Sequence, residues 1–302
     1  MKTNKTKGII LAIISSGTFG LIAFFSIPLL KAGMHAPSIL FYRSSIAAIL
    51  LGLVCLFRKK QFNISPKIAI QLFMLGMLYT MTAMGLIYSY NFISSGVATT
   101  IHFLYPIVVA CMMIIFYKEK LSRSLLFAAI LSLFGVGLLC WNKSGFINSE
   151  GLLAALLTVF TYALYIVNLN RQGIKKLDTE VIMFYVMLFG AFIFAVFSYS
   201  TTGIEVLPHT NAWLNIIGLS VFATVLSGLA LILAVKNAGS TITSILGSME
   251  PVVATVVGVF HFHEPVGWNS LFGLIIIISA VVMVVMASQR KEKRKANRTA
   301  LQ

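Results

Sequence analysis

The chain has 302 residues, 59% hydrophobic and only 10% charged, against roughly a quarter charged in an ordinary soluble domain. Ten apolar stretches of about 20 residues, each enough to cross a bilayer as a helix, take up about two thirds of the chain, which excludes a soluble fold and leaves no room for a soluble domain. The net charge of +15, from 23 Lys and Arg against 8 Asp and Glu, would suggest nucleic acid as the partner of a soluble protein; the placement of the charges argues against that here.

In chain order the apolar runs predict helices over 8–30, 36–57, 68–91, 95–116, 124–141, 151–168, 180–200, 212–235, 241–262 and 268–288. Each is far longer than the roughly ten alternating residues of a membrane barrel strand, so the expected class is an all-α polytopic membrane protein. The first run exceeds the usual 7 to 15 residues of a signal core and shows no small-x-small site before Pro28, so it is read as a span rather than a cleaved leader. Assigning the connections to alternate sides puts 20 basic residues on one side, including Lys2, Arg58, Lys118, Arg171 and Lys236, against 2, Lys31 and Lys143, on the other. Only Arg43 is left inside a span. An even number of helices with both termini in the cytoplasm satisfies this division. The basic tail over 289–302, with Arg290, Lys291, Lys293, Arg294, Lys295 and Arg298, also offers anionic lipid about 1 kcal/mol per basic residue near the surface. Cys55, Cys111 and Cys140 fall within spans and read as small apolar packing residues rather than a disulfide framework.

A shift of 145 residues lays 95–119 on 240–264, bringing Pro106 onto Pro251 and Glu119 onto Glu264. A shift of 143 brings Gly8, Ala12, Ser15 and Thr18 onto Gly151, Ala155, Thr158 and Thr161, and Phe41 and Tyr42 onto Phe184 and Tyr185. The chain therefore reads as two five-helix copies, 1–143 and 151–288. Because five is odd, the second copy enters from the opposite face. Inverted-topology repeats place a substrate site between the halves near the midplane, and two related packings of one structure give alternating access.

Gly8 opening the first helix, Lys31 closing it, Pro37 and Arg43 in the second, Pro106 followed by Glu119 and Leu121, and Glu250, Pro251 and Glu264 in the second copy resemble the drug/metabolite transporter superfamily, and its ten-helix EamA-type branch most closely. One departure is Phe19 before Gly20, where that family often has a Trp-Gly pair. The resemblance implies a central cavity and export, uptake or exchange of small metabolites, often amino acids or related compounds, across a bacterial inner membrane, by a monomer or homodimer without a cofactor.

Two charges lie well inside the spans, Arg43 and Glu250, and each costs about 2.5 to 3.5 kcal/mol on insertion scales, which makes it a functional candidate. At 1.5 Å per residue they sit roughly 10 and 18 Å below the outer boundary. Either both face the cavity, where Arg43 attracts a carboxylate and Glu250 attracts an ammonium group or titrates, or they form a structural ion pair. His102 is a candidate for a coupling proton or a substrate hydrogen bond, or a packed core histidine. Some of Tyr42, Tyr79, Tyr105, Tyr162 and Tyr185 are expected to line an amphipathic pocket. Pro106 and Pro251 are expected to kink their helices near the midplane and free carbonyls there. Glu119 and Glu264 are expected to cap the entering helices; a metal at His261, His263 and Glu264 would be thinly held. Gly76, Gly85, Gly135, Gly137, Gly218, Gly228, Gly247 and Gly258 are expected to allow close helix approach.

Neither a Ser nucleophile with a His base nor a His pair with Glu at helical spacing falls within a span, and no nucleotide-binding loop is present, so membrane enzymes and ATP-driven pumps are disfavoured. A passive channel or facilitator is the alternative to a secondary carrier.

Overall fold

The computed structural model of the protein describes residues 4–89, 91–93, 98, 101–119, 122–139, 148–201, 203–207, 210–262 and 267–300. Among the described residues every regular element is helical. Lipid offers no water to a backbone N–H or C=O, and a helix satisfies these groups within one segment.

The first span, Lys5–Lys31, is two helices, α1 (Lys5–Phe19) and α2 (Ile22–Lys31), interrupted at Gly20 and Leu21. α3 (Ala36–Phe57), α4 (Pro66–Ser89), α5 (Tyr105–Tyr117) and α6 (Arg123–Leu139) complete the first half. The second half opens with α7 (Ser149–Asn168), the short α8 (Gln172–Lys175) and α9 (Thr179–Ser200). α10 (Thr210–Ser220) then runs through a π-helical segment, Val221–Leu226, into α11 (Ser227–Ala238). α12 (Ser240–Leu246), α13 (Met249–Phe262) and α14 (Trp268–Ala300) follow. Seven stretches are long and apolar enough to cross a membrane, and Tyr105–Tyr117, Arg123–Leu138 and Leu271–Ala287 are shorter apolar helices. The protein is an all-α polytopic membrane protein.

Asparagine starts the first helix of each half. The Asn4 side chain accepts from the Lys7 N–H at 3.0 Å, and that of Asn148 from Glu150 and Gly151 at 2.8 and 3.3 Å, satisfying donors that have no partner inside the helix. The packing pairs like with like. α3 lies along α9, α6 along α14 and α5 against α12, while α1 packs on α11 and α4 on α7. In the 143- and 145-residue registers α3 corresponds to α9 and α6 to α14, α5 and α12 belong to the matching stretches 95–119 and 240–264, and the packing of α1 on α11 is repeated by that of α7 on α4.

Apolar helices in lipid gain nothing from hydrophobic burial against one another, so close packing of small residues sets the interfaces. A Cβ on Gly76, Gly85, Gly135, Gly218, Gly228 or Gly247 would come within 3.0 Å of a neighbouring atom. Gly137 differs from expectation: a Cβ there meets nothing within 4 Å. The Gly258 side of its helix lies outside the described residues. Gly8 is among the most crowded, 2.7 Å from both the Cβ and the backbone nitrogen of Ala238, and beside it the Asn4 N–H donates to Asn237 Oδ1 at 3.1 Å. Overpacking of this kind costs about 1–3 kcal/mol, so Gly8→Val should lower the thermal midpoint in detergent while Gly137→Ala leaves it unchanged or raises it.

α3 and α9 are tied at both ends. At the basic end Arg58 meets Glu180 at 2.8 Å, Lys60 meets Asp178 at 3.1 Å, and the Tyr185 hydroxyl donates to the Phe62 carbonyl at 2.8 Å. At the opposite end the Glu205 carboxylate accepts from the His35 N–H at 2.6 Å and contacts its ring at 2.5 Å, while Tyr42 donates to the Glu205 carbonyl at 2.8 Å. Tyr42 and Tyr185 are thus committed away from the protein centre. Partial burial pushes the Glu205 carboxyl up, but the His35 and Ser38 hydrogen bonds and the charge of His35 outweigh it and hold the group below its ordinary 4.5. A carboxylate lowered by folding stabilises above its unfolded pKa and loses that contribution as pH falls through the folded value. Glu205→Gln should therefore flatten the fall of the thermal midpoint below about pH 4.5, measured against the unsubstituted protein.

Candidate substrate site at the helix breaks

The fourth span of each half is interrupted, not kinked. Phe103 and Leu104 form a turn before α5, which places Pro106 at the second residue of that helix; Gly247 and Ser248 separate α12 from α13, which places Pro251 at its third residue. The expected kinks are corrected for a physical reason. Proline in a first turn forfeits no hydrogen bond, because N–H groups there have no partner within the helix. The chain therefore ends one helix and starts another, leaving two helix N-termini, each partly positive, inside a span. In the 145-residue register Tyr105 and Glu250 hold the same place in these two first turns.

Arg43 is 3% exposed, yet it is well supplied with acceptors. Its Nε donates to Thr224 Oγ1 at 2.5 Å, and its Nη2 donates to the Tyr79 hydroxyl at 2.9 Å and to the Ala223 carbonyl at 3.2 Å. Thr224 spends its own proton on the Leu219 carbonyl at 2.9 Å, so toward Arg43 it can only accept. Thr224 and Ala223 both belong to the π-helical segment, where the extra residue per turn turns groups outward that an α-helix would keep. The guanidinium also lies 5.9 Å from the Tyr79 ring centroid. Its Nη1 has no hydrogen-bond partner among the described residues.

From Tyr79 an aromatic chain runs inward to the break. Tyr79 and Tyr165 have ring centroids 5.7 Å apart, Tyr165 stacks on Tyr162 at 6.1 Å, and Tyr162 meets Tyr105 edge-on at 4.8 Å. His102 lies 5.2 and 5.3 Å from Tyr105 and Tyr162. Its Nδ1 is 2.8 Å from Thr158 Oγ1, which donates to the Ala155 carbonyl at 2.6 Å. The imidazole must therefore donate from Nδ1, leaving Nε2 as an acceptor. The Tyr105 hydroxyl points at the opposite break, where a Cβ on Gly247 would collide with it; glycine there is needed for this close approach.

The ion pairs among the described residues are His35–Glu205, Arg58–Glu180 and Lys60–Asp178, so Arg43 and Glu250 do not pair. Glu250 is half-buried, and its carboxylate accepts no hydrogen bond among the described residues. Its carbonyl lies against Gly20, where a Cβ would come within 2.7 Å, so the break between α1 and α2 packs on the first turn of α13. Beyond it, away from the basic side, opens an apolar cavity of about 410 Å³ lined by Leu21, Phe24, Phe25, Phe222, Val256 and Phe260.

Arg43, Tyr79, His102, Tyr105 and Tyr162 thus form one connected cluster, with Glu250 at the facing break. Sequence reasoning missed Tyr165 and Thr224. Tyr165 carried a signal, lying three residues after Tyr162 on the same helix face; its hydroxyl is buried without a hydrogen-bond partner among the described residues. Thr224 carried none, because the π-helical turn that aims it is not written in the periodicity. Glu119 is corrected from a cap to a tie between halves: its carboxylate accepts from Thr241 Oγ1 at 2.9 Å, and Ser122 caps α6 through the Leu125 N–H. Glu264 and His263 lie outside the described residues. His261 packs on Phe24 with centroids 4.5 Å apart, and no group of three metal-ligating side chains occurs among the described residues.

Interrupted helices meeting at buried polar groups in an all-helical multi-pass protein define the class of membrane transporters. The chain belongs to the EamA-like transporter family, whose model matches residues 6–141 and again 149–286. It is similar to the uncharacterized transporter YvbV of Bacillus subtilis (strain 168), with 22% identity over 274 residues covering 88% of each chain. A solved crystal structure superimposes with a TM-score of 0.82 over 96% of this chain and all of that one, at 16% identity; that likeness bears on the fold alone.

Thr224→Val keeps the side-chain shape and removes the acceptor from a buried guanidinium, a loss of about 1–3 kcal/mol. The thermal midpoint should fall accordingly, and by less once Tyr79→Phe is present if the two hydroxyls share one network, as a double-mutant cycle would measure.

Proposed function

We propose that the protein is a secondary carrier, not an enzyme, which moves a small organic metabolite of the amino-acid type across a bacterial inner membrane by alternating access. In this reading ten spans form two inverted copies, 1–143 and 151–288, with both termini in the cytoplasm, and the solute sits at the facing breaks. One observation carries it: a guanidinium N–H and a carboxylate, both without hydrogen-bond partners among the described residues, flank a cluster of four tyrosines and a histidine where the two fourth spans are interrupted. A zwitterion with an apolar part matches that set, its carboxylate toward Arg43 and its ammonium toward Glu250.

The contacts between halves support a state closed toward the basic side. There Gly8 packs on Ala238, Glu119 accepts from Thr241, and Asn170 reaches the Met113 sulfur at 4.0 Å. The apolar cavity lies on the other side, so this arrangement reads as outward-facing, and the rocked counterpart would face the cytoplasm. Glu250 offers the group through which a proton gradient would couple to export or exchange.

Reconstituted vesicles should show counterflow, uptake of labelled solute accelerated by unlabelled solute inside, because a carrier turns over faster loaded than empty and a pore does not. Glu250→Gln and Arg43→Gln should each lower flux at least about tenfold, the worth of one charge-assisted hydrogen bond, with the folded fraction checked by thermal midpoint. Unchanged flux in Glu250→Gln would remove that residue from both binding and coupling, and flux indifferent to an imposed, electrically clamped pH gradient would exclude proton coupling.

A further inference from the structure

On the basic side, away from the helix breaks, α4, α7 and α8 enclose a crevice of about 170 Å³ with a mixed lining. Leu75, Leu78, Leu164 and Ile174 form an apolar floor, and Gln71, Asn168 and Arg171 are its polar groups. Three features of it point to a ligand. The Gln71 Oε1 is buried and accepts no hydrogen bond among the described residues; it lies beside Gly173, where a Cβ would come within 3.1 Å of it. The Arg171 guanidinium is exposed and makes no hydrogen bond or ion pair among the described residues. Met74, also lining the crevice, is 47% exposed, so the crevice opens on the outer wall of the helix packing. Gln71 is in the second turn of α4 and Arg171 immediately precedes α8, three residues past the end of α7, which sets both at the depth of lipid headgroups on that side.

We propose that this crevice binds the headgroup of a phospholipid in the leaflet on the basic side, with Arg171 on the phosphodiester and the Gln71 carboxamide, which turns its buried Oε1 toward the crevice on binding, accepting from a hydrogen-bond donor of the headgroup. An acceptor and a guanidinium that line one crevice and have no partner among the described residues call for one molecule that is both an anion and a donor, and a buried acceptor left empty is costly. Phosphatidylglycerol, through its glycerol hydroxyls, and phosphatidylethanolamine, through its ammonium, carry both; phosphatidylcholine has the phosphate and no donor. Basic pockets between membrane helices are known to take anionic headgroups, but a basic pocket alone does not discriminate by donor. The apolar floor takes the start of an acyl chain. This differs from attraction of lipid by the basic tail, which is summed charge without a shaped site.

The test is retention of defined lipids by the purified full-length protein, read by native mass spectrometry and by the thermal midpoint. The unsubstituted protein should retain phosphatidylglycerol and phosphatidylethanolamine roughly two- to tenfold better than phosphatidylcholine, the range one hydrogen bond gives. Gln71→Leu should abolish that preference while leaving phosphatidylcholine retention as it was. Arg171→Gln should weaken all three, and Lys176→Gln, which removes a charge outside the crevice lining, should weaken none. Equal retention of the three lipids by the unsubstituted protein, or a preference that survives Gln71→Leu, overturns the proposal. Displacement of lipid by excess inorganic phosphate would identify a free-anion site and overturn it too.

Discussion

A guanidinium in the interior of a membrane protein needs acceptors, and those around Arg43 account for much of the local architecture. One comes from α4 of the first half, the Tyr79 hydroxyl; two come from the π-helical segment of the second half, Thr224 Oγ1 and the Ala223 carbonyl. A regular helix engages its carbonyls four residues on, so the segment that supplies one sideways has a different winding. Arg43 thus holds the third spans of the two halves together through a single planar fork, and Tyr79, fixed by that bond, begins the aromatic chain that reaches the breaks.

The two halves share a plan and differ where the chemistry is. In the duplicated register Tyr105 stands where the second copy has Glu250, and His102 stands where it has Gly247. The exchange is physically matched: the Tyr105 hydroxyl needs room at Gly247, and a side chain there would fill the space it occupies. Phe19 is likewise matched by Tyr162, a buried apolar ring in one copy and a hydroxyl-bearing ring of the cluster in the other. The fold accommodates duplication because like helices meet each other once and the packing of α1 on α11 is repeated by that of α7 on α4. The site is single because its polar groups do not.

Much of this was legible in the sequence. The all-α multi-pass class followed from hydropathy, the two repeats from two register shifts, and the interest of Arg43 and Glu250 from the expense of charge in lipid. What escaped was local winding. Hydropathy sees 8–30 as one run because Phe19, Gly20 and Leu21 are all compatible with a buried helix; the break falls where Gly20 packs on the Glu250 carbonyl, a contact more than two hundred residues away in sequence. Proline likewise announced an irregularity without its form, since a kink and a fresh helix start both accommodate it. Glu119 looked like a cap because its nearest unsatisfied donors in sequence are those of α6, whereas the tertiary structure offers it Thr241.

The distribution of ties between the halves bears on what a rocking motion would have to move. α3 and α9 are joined at both ends, through Arg58, Lys60 and Tyr185 at one and His35, Ser38 and Tyr42 at the other. A pair fastened at both faces does not open at either without breaking several contacts at once, so it suits the role of a shared frame. The elements bordering the cavity are those already interrupted: α1 and α2 at Gly20, α12 and α13 at Gly247, and the π-helical turn between α10 and α11. At these places the regular ladder is altered: the Leu21 and Ser248 N–H groups reach carbonyls only three residues back, and the π-helical turn bonds five residues back, so a change of shape there disturbs fewer regular helical bonds. The breaks that bring the polar groups together are therefore also the places where the least backbone bonding opposes a change of shape, and site and hinge would be the same residues.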